Sequence, residues 1–125
     1  MVDNTRRRVM ATWGRIVTDA ALMDYQKTVW SDPKIHGFDE LIDFSALEKI
    51  DVTTQGLEDV AYLAAGMDAA MGASRFAIVV GDSLSYGLSR MYEAFRGMEE
   101  KSSRQLMIFQ RLEDALEWLD STRAV

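Results

Sequence analysis

The chain contains no cysteine, one proline and one histidine in 125 residues. Without cysteine there are no disulfides, no thiolate nucleophile and no cysteine-ligated zinc or iron–sulfur centre. A single histidine, His36, cannot build a multi-histidine metal site, and its place between Pro33 and Gly37 predicts a surface turn. No apolar run approaches the roughly 20 residues that cross a bilayer. The first residues also lack the apolar region of a signal peptide, so a cytoplasmic location is the default expectation. The phosphate-cradling and nucleophile-elbow glycine motifs are missing, and Gly81 alone before Asp82 cannot replace them. From these absences the chain is expected to be non-enzymatic, with no cofactor and no metal.

Positive charge is also short. Fourteen basic residues against 20 acidic ones give a net charge of −6, which repels nucleic-acid phosphates and anionic lipid. The one basic cluster, Arg6-Arg7-Arg8, abuts an alternating apolar pattern and reads as the solvated start of a strand. What is present is apolar: 48% of the residues, including eight methionines and three tryptophans, enough for one ordinary domain with a single core.

The periodicity alternates between strand and helix. A strand is predicted around residues 6–12, followed by a helix through AALMDYQKTVW that is capped by Thr18 or Asp19 and stopped by Ser31-Asp32-Pro33. A short buried strand follows at residues 40–45. Thr53 or Thr54 caps the next helix, whose stripe Leu57, Val60, Ala61, Ala64, Met67 and Met71 ends near Gly72. Residues 75–80 form the next strand. Asp82 or Ser83 then caps a helix whose Leu84, Leu88, Met91, Phe95 and Met98 make a face meant for the sheet. A charged surface loop at residues 97–104, a strand at 105–109 and a helix at 112–119 complete the order β-α-β-α-β-α-β-α. The fold class is α/β, with a small, mostly parallel sheet of four or five strands flanked by helices.

The run RFAIVVGDSLSYGLSRMYEAF, then LMIFQRLEDALEWL, resembles the C-terminal half of the SpoIIAA-like (STAS-like) family, relatives of anti-sigma-factor antagonists. Asp82, Tyr86-Gly87, Arg90-Met91-Tyr92 and Ala115 to Leu119 carry the likeness, and GRIVTDAALMDYQKTVWSDPKIHGFDELIDFSALEKIDVTTQGL extends it over nearly the whole chain. The resemblance implies a STAS-like domain and a non-enzymatic regulatory or protein-interaction module, expected to be a homodimer with a protein partner. It also places Thr53, within Asp51-Val52-Thr53-Thr54-Gln55-Gly56, nearest the family's phosphoacceptor position, with Thr54 beside it. Simple helix capping accounts for both threonines equally well.

Two further readings rest on the residues. A carrier or sensor would hold an apolar or acyl ligand between helix and sheet, a role suited to adaptable methionines, although Met67, Met71, Met91 and Met98 fall at core spacing. A small enzyme would act on an anionic substrate where Asp82, Ser83 and Tyr86 meet the carboxyl end of a strand. Tyr86 is otherwise expected to pack with its hydroxyl satisfied, and Gly87 to bring the helix close to the sheet. Asp39, Glu40 and Asp43 alternate along a strand and read as solvated or capping carboxylates rather than a catalytic pair.

Overall fold

The computed structural model describes residues 1–98 and 104–123. Five strands form one sheet: β1 (Val2–Asp3), β2 (Arg8–Thr12), β4 (Asp39–Asp43), β6 (Arg75–Val79) and β7 (Gln105–Phe109), side by side in chain order. β1 is antiparallel to β2, and every other pairing is parallel. A separate parallel ladder joins β3 (Ile16–Thr18) to β5 (Lys49–Asp51). Among the described residues the α-helices are α1 (Asp19–Val29), α2 (Thr54–Met67), α3 (Ser83–Gly97) and α4 (Leu112–Asp120).

The pleat sorts side chains onto two faces. Ile42, Phe76 and Ile78 point to one face and pack against Leu57, Val60 and Ala61 of α2 and Tyr92 of α3, with Leu22 and Tyr25 of α1 at the margin. Leu41, Ala77 and Val79 alternate to the other face, where Ala115 and Leu119 of α4 cover them. Three helices therefore lie on one side of the sheet and α4 alone lies on the other. A third cluster of Val9, Trp30, Ile35, Phe38 and Met71 closes the end nearest β2.

Helix starts follow the capping residues. Thr18 Oγ1 accepts from Ala21 N–H at 3.1 Å, Thr53 Oγ1 from Gly56 N–H at 2.9 Å, and Asp82 Oδ1 from Ser85 N–H at 2.7 Å. Each satisfies a backbone donor that the first helical turn leaves free. Gly72 takes φ 59 after α2, as a residue ending a helix in the left-handed region does.

Several expectations need correction. The sheet is mostly parallel, as expected, and has the larger of the two expected strand numbers because β1 joins β2, whereas the β3/β5 ladder was not expected. On α3 the buried residues are Ser85, Ser89, Tyr92 and Arg96, whereas Leu84 is 60% and Met98 76% exposed. α2 and α3 pack together, and Leu88, Met91 and Phe95 are partly buried beside the fully buried line. Met98 is thus no core residue. A Cβ at Gly87 would meet open space, so Gly87 does not bring α3 close to the sheet; a Cβ at Gly81 would come 2.9 Å from Ser45 O, and that is where two loops touch. The middle of the charged segment, residues 99–103, lies outside the described residues, and Gly97 belongs to α3.

Candidate functional site

A cavity of about 80 Å³ lies between the sheet and helices α1 to α3, beneath the β3/β5 ladder. Its walls are aliphatic and aromatic: Ile42 and Ile78 from the sheet, Leu22, Leu57, Val60 and Leu88 from the helices, and Val17, Ile50 and Val52 from the ladder side. None of the lining residues is a methionine, so the residue type that suggested an apolar ligand does not build this wall. Polar groups reach it from two places: Tyr25, Gln26 and Glu40, and the α3 line of Ser85, Ser89 and Tyr92.

Glu40 departs most from its expected role. Its side chain is 2% exposed and its ion-pair partner, the side chain of Arg104, is 3% exposed. Oε1 accepts from Arg104 Nη1 at 2.7 Å, and Oε2 accepts from the Tyr25 hydroxyl at 2.7 Å and Trp30 Nε1 at 3.0 Å. Arg104 also donates to Ser74 Oγ and Phe38 O, and its guanidinium lies 4.5 Å from the centre of the Trp30 ring. Far from being solvated, Glu40 has a partner for each charge-bearing oxygen, as burial of a carboxylate requires.

A second buried pair stands beside it. Arg96 donates to both carboxylate oxygens of Asp68 and to the Tyr92 hydroxyl, and its guanidinium lies 5.4 Å from the centre of the Phe76 ring. Arg104 reaches the same ring at 5.6 Å. Two cations and two carboxylates are therefore buried around Phe76, and their formal charges cancel. Burial raises the Tyr25 pKa far above its ordinary value, helped by the Glu40 charge, and burial likewise raises that of Tyr92. Both phenols stay protonated; Tyr25 donates to Glu40, and the Tyr92 oxygen accepts from Arg96.

Asp39 is also buried, accepting from Arg75 N–H and from the Arg123 guanidinium, whereas Asp43 accepts from Ser45 at the exposed end of β4. Arg8, read as solvated, is 4% exposed and paired with Asp120. His36 is half-buried at the end of the Pro33–Ile35 turn.

Asp82, Ser83 and Tyr86 do come together. With Gly81, Gln110 and Arg111 they line a surface groove of about 510 Å³ at the carboxyl ends of β6 and β7, where α3 departs to one face of the sheet and α4 to the other. The Asp82 carboxyl is held below its usual range, first by the Ser85 backbone N–H. The nearby Ser85 hydroxyl favours the same carboxylate, although its buried Oγ makes no hydrogen bond within the usual limits of distance and angle. Tyr86 is exposed rather than packed, and Arg111 is engaged by Glu113.

Thr53 and Thr54 sit at the start of α2. Thr53 caps the helix, and both its N–H and its hydroxyl donate to Asp19, at 2.9 and 2.6 Å. Thr54 is the exposed first helical residue. Asp19 therefore already supplies the negative charge that a helix N-terminus favours.

Sequence reasoning missed Arg104 and Arg96 altogether. The available signal was an arginine inside or next to an apolar pattern, which demands a buried carboxylate in return. Among the described residues there is no group of three or more His, Cys, Asp or Glu that could hold a metal, and no helix long and apolar enough to cross a membrane. Comparison of the chain with protein-family models, curated proteins and solved structures finds no match.

Proposed function

We propose that the chain is a non-enzymatic binding module of STAS-like kind, a carrier or sensor that takes a small apolar ligand between helices α1 to α3 and the sheet. The observation that carries this reading is the 80 Å³ cavity with its largely aliphatic wall. Well-packed cores contain few voids larger than a water molecule, whereas apolar cavities remain dry and accept apolar guests. The STAS-like assignment is supported by where its motif residues fall: Asp82 at the strand-to-helix turn, Arg90-Met91-Tyr92 within α3, and Ala115 to Leu119 within α4. Amide NMR under xenon pressure tests the cavity. Shifts concentrated at Leu57, Val60, Ile78 and Leu88 are expected; none there would refute the proposal.

The regulatory or protein-interaction reading keeps one specific observation in its favour. Among the described residues β7 pairs only with β6, so its other edge is open, and the Met107 side chain is exposed beside it. An open edge is a template for another strand, from a second copy or a partner. Native mass spectrometry distinguishes the readings: a dimer abolished by Met107→Lys, a charge that blunts an open edge, would favour the edge, and a small extra mass lost on denaturation would favour the cavity. The enzyme reading draws less support, since Asp82 is engaged as a cap and brings negative charge to a groove meant for an anion.

A further inference from the structure

The cavity restricts its ligand more narrowly than to the word apolar, and three observations define how. The first is size. An engineered cavity of about 150 Å³ in another protein accepts benzene. A space of about 80 Å³ is roughly half of that, enough for about three or four non-hydrogen atoms. An acyl chain does not fit within it.

The second is charge. Glu40 is the carboxylate in the wall, and the Arg104 guanidinium beside it is committed to Glu40, Ser74 and Phe38. Arg96 is committed to Asp68 and Tyr92. The described buried network is neutral as it stands. An ionised guest would face Glu40 or lie buried without a counter-charge, which is strongly unfavourable.

The third is a buried polar group left over. Ser85 lines the cavity, is 3% exposed, and has an Oγ with no hydrogen-bond partner. A buried hydroxyl without a partner is uncommon in folded proteins and marks a place where a further group completes the bonding. Ser89, one turn along α3, lines the same wall.

We infer that the cavity holds a small neutral organic molecule, or the neutral end of one, carrying a single oxygen acceptor that the Ser85 hydroxyl anchors: a short ketone, aldehyde, ester or ether group rather than a carboxylate. This rests on the cavity reading above and specifies its ligand class. Acetone and acetate are equal in non-hydrogen atoms and differ in charge, while xenon reports the cavity without any hydrogen bond.

The test is amide and methyl NMR titration of the full chain with each of the three probes near neutral pH, in the wild type, in Ser85→Ala and in Ser83→Ala. Acetone should perturb the cavity residues and acetate should not. Ser85→Ala should weaken acetone by about tenfold, the value of one net hydrogen bond, and leave xenon binding equal or tighter. Ser83→Ala, an exposed serine on the same turn, should change nothing. If xenon binds but acetate enters as well as acetone, or Ser85→Ala leaves acetone unaffected, the ligand class is wrong and the cavity reading survives. If neither xenon nor acetone perturbs the cavity residues, both fall together.

Discussion

Replacing Glu40 by glutamine removes one charge from a nearly isosteric side chain, and the cost follows from the partners it leaves behind. Three donors converge on the carboxylate: Arg104 at 2.7 Å, Tyr25 at 2.7 Å and Trp30 at 3.0 Å. Glutamine offers one acceptor oxygen and an amide that points two donors at other donors. The Arg104 guanidinium, with its side chain 3% exposed, would be buried without its counter-charge. Breaking such a pair from one side costs about 3–5 kcal/mol, a large part of the roughly 5–15 kcal/mol that holds a domain folded. Arg104→Met should cost a similar amount. The double variant should be more stable than the sum of the two losses by about 2 kcal/mol or more, because neither stranded charge remains. Urea unfolding followed by far-ultraviolet circular dichroism measures all four proteins, avoiding Trp30 fluorescence, which the substitutions alter directly. A loss below about 1 kcal/mol in Glu40→Gln, or coupling near zero, would refute the argument that the pair neutralises the core.

Ser85→Ala should raise stability by about 1 kcal/mol, because a buried hydroxyl with no partner gives up water for nothing; an unchanged or lower urea midpoint would show that Oγ has an acceptor. Tyr25 and Tyr92 keep their protons in the folded state, whereas the unfolded chain releases them near pH 10. Stability contributed by these phenols is thus present below that pH and lost as pH rises above it, and their phenolate absorbance should emerge together with unfolding in a stopped-flow alkaline jump. Gly56→Ala places a Cβ against the Asp19 carboxylate, which bonds Thr53 at two points. It should destabilise the protein by about 1–3 kcal/mol despite alanine's better helix propensity, and Asp19→Ala should cancel most of that difference in thermal melts.

The large periodic elements were legible because local rules and tertiary packing agree there. α1 begins at the threonine cap and stops at Asp32-Pro33, and β7 occupies the residues its apolar pattern indicates. The short strands were not. β3 and β5 are three residues each and exist through pairing with one another across 33 positions of chain, which no local pattern encodes. α3 misled because its apolar spacing was read as the contact line, whereas the buried line runs through Ser85, Ser89, Tyr92 and Arg96. The polar core was hidden for a related reason. Nothing local distinguishes Glu40, next to Asp39 at the start of a short strand, from a solvated carboxylate, and only the position of Arg104, 64 residues later, makes its burial affordable. At the carboxyl end of β6, Asp82, Ser83 and Tyr86 are close in sequence and line one groove, whereas the cavity behind the next turn of the same helix needed three helices and two ladders to exist.

The strands stand in the sheet in the order in which they are synthesised, so each helix–strand unit can dock onto the one before it as the chain emerges. Charge does not follow that schedule. Glu40 is laid down early, with Tyr25 and Trp30 already at hand, but its cation waits for residue 104, immediately before the last strand. A nascent chain short of that point can assemble most of the apolar core and still holds an uncompensated carboxylate at its centre. Arrival of β7 therefore does more than add an edge: it delivers the counter-charge of Glu40, and so ties the closing of the sheet to the pairing of its buried carboxylate.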